Sequence, residues 1–368
     1  MASAPSLSKI IGSRIEGKAP NAPAAGPRVF HANSLEFWGF TSYSGLLKFG
    51  KQANDERFVK RASATIAAES AQEDQAIEES GLAESVGVVE KAGVTSARAL
   101  SAEGDQNAIA VWSGLGSGNA LGTDIHRLLD AAARRGFAEV AGFGAEEMLS
   151  FVQSQGFSVK QQQPFASWLA SSLSLPLFST HQCSMLGFVS SPSLATLRVY
   201  VPEMEFWLPA ERLNLKALDH WLHQNCLQGL SAQPNRFTIP RPALTHQHFQ
   251  GMVKGFIDLC FEHEGRYFIS DYKSNWLGHE ADSYRGQSLM QSIAEHRYDL
   301  QYSLYCLALH RHLRARLQAH YDPQKHLGGA LYLFLRGMTH PDEGRYFQAF
   351  TPLQLSELEQ LLNLREDR

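Results

Sequence analysis

Two aspartates and a lysine, Asp258, Asp271 and Lys273, stand inside the apolar run GFIDLCFEHEGRYFISDYKSN, residues 255–275. The run divides into two strand-like segments, 252–262 and 267–273, joined at HEGR. With Glu264 and Gly265 as a two-residue loop, His263 faces Arg266, and counting outward sets Asp258 opposite Asp271. A symmetric four-residue loop gives the same pairing; a three-residue loop shifts it by one. Directly opposed residues have Cβ atoms about 4.5–5.5 Å apart, a distance at which two carboxylates repel. Phe256, Ile257, Leu259, Cys260, Phe268 and Ile269 surround them, and an unpaired charge buried among such residues costs several kcal/mol. Strand side chains alternate, so Asp271 and Lys273 share a face, but one ammonium does not balance two carboxylates. A hard divalent cation does. Mg²⁺ takes carboxylate oxygens and fills its other positions with waters and substrate phosphates. The chemistry implied is metal-assisted phosphodiester hydrolysis, in which the metal lowers the pKa of an attacking water and Lys273 orients that water or stabilises charge on the phosphoryl oxygens. A structural ion-pair cluster would use the same three residues, and D…D-x-K alone does not separate the two.

These residues need rigid elements to hold them. In GTDIHRLLDAAARRGF, Ile125, Leu128, Leu129 and Ala132 recur at helical spacing, with Thr123 as the expected N-cap and His126 in the first turn beside the apolar stripe. LRVYVPEMEFWLPA (197–210) reads as a strand and NLKALDHWLHQNCLQ (214–228) as a helix. AEHRYDLQYSLYCLALHRHLRARLQAH predicts one long helix over about 294–320, followed by a short buried strand, GGALYLFLR. The fold class expected is α/β, a central mixed sheet flanked by helices.

Residues 1–28 are rich in Ala, Pro, Ser and Gly without periodicity and read as a flexible leader. Residues 29–108 read as linker-like, acidic and Ala/Ser-rich, apart from a short ordered piece with core-forming aromatics near 37–49, FWGFTSYSGLLKF. The compact domain is expected over 109–355, with 356–368 as a tail. No internal repeat is visible.

At 368 residues, 44% hydrophobic and 19% charged, the composition is that of a soluble globular protein, with no apolar run near the ~18 residues of a membrane span. The N-terminus lacks the apolar core of a secretory signal, so the expected location is cytoplasmic. The four cysteines, Cys183, Cys226, Cys260 and Cys306, are scattered, which argues against zinc, iron–sulfur and disulfide scaffolds. A net charge of -4 gives no global attraction for nucleic acid, so such binding must rest on local surface.

The stretch GMVKGFIDLCFEHEGRYFISDYKSNWLG resembles the nuclease domain of exodeoxyribonuclease V beta subunits, within the PD-(D/E)xK nuclease superfamily. GTDIHRLLD, EMEFWLP, HRYDLQYSLYCLALHRHLR and GGALYLFLRG follow in the family's order, so the likeness covers most of 110–340, and TSYSGL resembles the segment after the family's motor region. The resemblance implies that His126, Asp258, Asp271 and the main-chain carbonyl of Tyr272 hold Mg²⁺, that Lys273 is the catalytic lysine, and that Gln301 and Tyr305 are the family's Q-x-x-x-Y pair. Their i, i+4 spacing puts amide and phenol on one helical face, where they could hold a DNA phosphate or the attacking water. It further implies DNA as substrate, a place in recombination and repair, and as partners the gamma and alpha subunits (RecC and RecD) and a helicase-bearing beta chain. The motor itself is outside the resemblance. GSRIEGKA (12–19) has P-loop spacing but ends in Ala19 and follows no strand, and GLGSGNALG (114–122) lacks G-x-G-x-x-G spacing and reads as a loop before the His126 helix. ATP dependence and processive unwinding are therefore not expected of this chain. A catalytically idle docking module and a free-standing endonuclease are the competing readings.

Three weaker signals remain. His246 and His248 have metal-site spacing but no carboxylate or Cys at a matching offset. Arg311, Arg314 and Arg316 could touch phosphates, although a solvated or protein-docking face explains them equally well. Tyr298, Tyr302 and Trp276 could stack on splayed bases, although aromatics at helical spacing more often form core.

Overall fold

The computed structural model describes residues 38–49, 119–227, 241–244, 248–278, 281–338 and 342–362. The 1–28 leader, the two glycine-rich decoys through residue 118 and His246 lie outside them. In chain order the elements are β1 (Trp38–Thr41), α1 (Tyr43–Phe49), α2 (Asn119–Arg135), α3 (Phe137–Ala141), α4 (Ala145–Ser154), α5 (Val159–Ser172), α6 (Thr180–Leu186), β2 (Tyr200–Leu213), α7 (Leu215–Asn225), β3 (Phe249–His263), β4 (Arg266–Lys273), α8 (Gly286–Glu295), α9 (Tyr298–Leu317), α10 (Pro323–His326), β5 (Leu327–Phe334), β6 (Arg345–Gln348) and α11 (Pro352–Leu361).

Among the described residues six strands form one mixed sheet in the order β1, β3, β4, β5, β6, with β2 also on β3. β1 runs parallel to β3 and β4 parallel to β5; the β2–β3, β3–β4 and β5–β6 pairs are antiparallel. Helices cover both faces, which makes the fold the expected α/β arrangement, an open mixed sheet flanked by helices. On one face α2 to α6 pack Ile125, Leu128, Phe165 and Phe178 over Leu259, Phe261, Phe268 and Leu331. On the other, α7, α9 and α11 bury Leu218, Leu304, Leu307 and Leu358 against Val253, Ile257, Ile269 and Tyr332. β5, buried at every position, has no polar side to offer water.

The expected boundaries shift in three places for stated reasons. α2 begins at Asn119, four residues before Thr123, because Leu121 extends the apolar stripe by one turn and is buried. The long helix expected over 294–320 is two helices, broken at Arg297, which takes the left-handed conformation with φ 56. Its buried guanidinium bonds Asp299 at 3.0 Å and Asp219 at 2.7 Å, and Arg241 joins Asp299 at 2.6 Å, so a nonlocal ion network outweighs local helical preference. Order also runs past 355: α11 buries Leu355, Leu358 and Leu362, and its Glu359 accepts from Arg311 and Arg314 of α9. Those two arginines thus serve helix docking. Leu358→Ala is expected to cost about 2–5 kcal/mol, read as a lower urea midpoint; an unchanged midpoint would return the segment after 355 to the status of a tail.

Candidate metal centre

The β3–β4 turn places Glu264 at φ 48 and Gly265 at φ 79, the positive pair that a two-residue hairpin loop requires. His263 pairs with Arg266, and the register runs outward to Leu259 opposite Ser270. Asp258 and Asp271 are next in that count. There the main-chain ladder stops and a side chain takes over: Tyr272 N–H donates to Asp258 Oδ2 at 2.7 Å. Asp258 thereby reaches the backbone of the residue following Asp271.

α2 brings His126 to the same point from the opposite layer. Its Nε2 lies 2.9 Å from Tyr272 O and its Nδ1 3.4 Å from Asp258 Oδ2. Because a carbonyl only accepts, Nε2 carries the proton in that contact. A cation seated among these groups would replace it.

Asp271 is 3% exposed, and Lys273 Nζ stands 2.8 Å from its Oδ2. The two form a buried ion pair. Lys273 Nζ also sits 4.1 Å from the Tyr298 ring centroid and 5.6 Å from that of Tyr332, a cation–π seat that fixes the ammonium.

Burial pushes the Asp271 carboxyl up to about 7, against the pull of Lys273 and with the repulsion of Asp258. Asp258 moves the other way: burial raises it, but His126, the Tyr272 N–H and Lys273 together hold it below its ordinary value. The site thus keeps one carboxylate firmly ionised and strains another.

A third acid was not singled out from the sequence. On β2, Pro202 pairs with Leu259 and Met204 with Ile257, so Glu203 stands opposite Asp258 in the same register. Glu203 adopts φ 48, a costly backbone for a glutamate inside a strand. Burial, then the Asp258 charge, raises its carboxyl to about 8. The signal was present in EMEFWLP, where Glu203 follows Pro202 directly and, with Glu205, is one of two acids in an apolar stretch.

Among the described residues no three His, Cys, Asp or Glu side chains close into a metal cage. What converges is two side chains and a main-chain carbonyl, with Asp271 turned to Lys273 alongside. Carboxylate and carbonyl oxygens with one imidazole suit a hard divalent ion, which would share the Asp271 carboxylate with Lys273.

Residues 206–366 match the PD-(D/E)XK nuclease superfamily. The RecBCD enzyme subunit RecB of Escherichia coli (strain K12) is 43% identical over 194 residues, 52% of this chain and 15% of that protein. Residues 206–366 are thus a PD-(D/E)XK nuclease segment similar to that of RecB. The RecB subunit of Haemophilus influenzae is 30% identical over 244 residues, 66% of this chain and 18% of the relative, and that of Mycobacterium tuberculosis (H37Rv) 45% over 96 residues, 26% and 9%. The matched region is thus less than a fifth of the length of these relatives. The superfamily match includes Asp258, Asp271 and Lys273, whereas His126 and Glu203 reach the nuclease domain's centre from before residue 206.

Gln301 and Tyr305 do share one face of α9, behind the nuclease domain's centre. Both are 1% exposed: the Gln301 amide donates to Tyr305 OH at 3.1 Å and accepts from Tyr332 OH at 2.8 Å. α9 approaches this closely because Gly255 is bare; a Cβ there would come 2.5 Å from the Phe206 ring and 3.3 Å from Tyr305. Tyr298 and Tyr302, considered as base-stacking rings, are buried core, 2% and 0% exposed, since α9 is covered on nearly all sides. Trp276 is exposed, with the Arg336 guanidinium 5.7 Å above its ring. No described helix is long and apolar enough to cross a membrane.

Proposed function

We propose that this domain hydrolyses DNA phosphodiesters with a divalent cation, Mg²⁺ by donor chemistry, held by His126, Asp258, Asp271 and the main-chain oxygen of Tyr272. The observation that carries the proposal is the meeting of His126 and Asp258 on the Tyr272 backbone, one residue from a buried Asp271 whose carboxylate is paired to Lys273. The cation, when bound, supplies Lewis-acid polarisation of the phosphoryl oxygen and the attacking water. Lys273, pinned by Tyr298, Tyr332 and Asp271, keeps its ammonium where charge develops on the phosphoryl oxygens and orients the water. Glu203, a neutral acid near pH 7 in the metal-free fold, would release its proton in the field of a bound cation, and the resulting carboxylate could then take a proton from the attacking water. Gln301 and Tyr305 act through Tyr332, as positioning residues for the wall under Lys273.

The RecB relatives set the wider proposal: a deoxyribonuclease of the exodeoxyribonuclease V type in DNA recombination and repair, in the cytoplasm, working with RecC- and RecD-like gamma and alpha subunits and a helicase-bearing beta chain. The nuclease region is assigned to 109–362 with the 37–49 segment joined to it. Because no triad of side chains among the described residues forms a cage, an idle docking module is the second reading. One experiment decides. The purified chain is expected to degrade linear DNA with Mg²⁺ and no ATP, and EDTA to stop it; a circular substrate distinguishes exonuclease from endonuclease action. Intact linear DNA, together with no heat of Mg²⁺ binding by calorimetry, would establish the idle module instead.

A further inference from the structure

The sheet face carrying Glu203 and Asp258 continues beyond them. In the same register the next pairs are Glu205 with Phe256 and Trp207 with Lys254. Their side chains meet: Lys254 Nζ lies 4.9 Å from the Trp207 ring centroid, 4.8 Å from that of Phe256 and 3.0 Å from Glu205 Oε1. Trp207 Nε1–H donates to Glu205 Oε1 at 2.9 Å, and Phe40 of β1 meets Trp207 edge to face at 5.8 Å. Helices α2 to α6 cover this face at Leu259 and Phe261, but Trp207 and Phe40 are each 42% exposed.

Two large rings left to water beside an embedded lysine mark a binding surface more often than an idle one. Lys254 and Trp207 both engage Glu205 Oε1, so the strip offers rings and a held cation that offsets the acid's charge. At a strand rise of roughly 3.3 Å per residue, Phe256 stands about 7 Å and Lys254 about 13 Å along β3 from Asp258. Nucleotides flanking a phosphate held at Asp258 fall on this strip.

We infer that Trp207, Phe256 and Phe40, with Lys254 between them, form a stacking platform for the bases of a single DNA strand adjoining the scissile phosphate. This rests on the reading of the neighbouring centre as a nuclease site. Exposed ring faces stack on any unpaired base but not on bases inside a duplex, so the platform selects single strands without reading sequence.

The test uses the full chain and its variants Trp207→Ala, Trp207→Phe and the double Trp207→Ala/Phe40→Ala, with melting curves to verify the fold. Binding of a fluorescent single-stranded oligonucleotide is read by anisotropy in EDTA, and cleavage as KM and kcat in Mg²⁺. Trp207→Ala is expected to weaken binding roughly 5- to 150-fold and to raise KM in step, Trp207→Phe to restore most of it, and an abasic oligonucleotide to bind the unaltered chain as weakly as the variant binds the normal one. Hydrolysis of bis(p-nitrophenyl) phosphate, which has no flanking bases, should be unchanged. Equal binding of variant and unaltered chain, or equal binding of abasic and normal strands, overturns the platform and assigns the strip to a protein contact. Trp207-dependent binding without hydrolysis of any phosphodiester would instead overturn the nuclease reading and leave the platform standing.

Discussion

Asp271→Ala is expected to lower Mg²⁺-dependent DNA cleavage by roughly 10³-fold or more while the domain stays folded. The residue is buried, its carboxyl is raised to about 7 by burial, and its partner in the metal-free fold is the Lys273 ammonium. Removing it relieves a strained charge but takes the carboxylate partner from the buried Lys273 ammonium, which then rests on the Tyr298 and Tyr332 rings, so melting curves must accompany the assay. The cost falls on the cation site. For the unaltered chain, Mg²⁺ at about 100 times its Kd should add about 2.7 kcal/mol of stability, visible as a higher Tm; for Asp271→Ala that increment should shrink or vanish. Undiminished cleavage by the variant would remove Asp271 from the proposed machinery, and a full Tm increment would remove it from the cation's ligands.

The second large effect runs in the opposite direction. Glu203→Gln is expected to stabilise the metal-free domain at alkaline pH while impairing cleavage. The sign follows from the raised carboxyl: the folded state holds the Glu203 proton up to about 8, whereas the unfolded chain releases it near 4.5. Stability associated with that proton is present in full below the unfolded value and is lost as pH rises through 8. Glutamine never ionises and escapes the loss. Glu203 and Asp258 share their electrostatics, so part of the relief passes to Asp258, and a gain of about 1–3 kcal/mol at pH 9 with almost none at pH 4 is the expected size. Melting curves in EDTA at the two pH values measure it. Equal Tm values at pH 9 would mean that Glu203 is as well solvated in the fold as in the open chain.

The chemistry of the hairpin was legible because its determinants are local. Glu264 and Gly265 tolerate the turn, the alternation sets the register, and Asp258 and Asp271 follow by counting. The first described strand and α1 were legible through Tyr43 and Leu46, apolar residues that the fold buries. Glu203 was harder. Its role comes from a left-handed backbone in the middle of β2 and from a neighbour 55 positions later on β3. The break at Arg297 was illegible for a related reason: its partners Asp219 and Arg241's Asp299 contact are set by tertiary packing, and the flanking residues favour helix on both sides. The spacing of Gln301 and Tyr305 was plain, but their depth depends on Gly255 letting α9 sink toward β3.

β1 is only four residues long, yet it pairs with Gln250–Val253, more than two hundred positions downstream, and lines the flank of β3 not taken by β2. Cutting the protein back to the superfamily-matched segment would strip that flank and leave its amide and carbonyl groups ready to recruit a strand from another molecule. The short N-terminal piece is thus a guard against self-association, and a laboratory version of the nuclease domain is best designed to retain it.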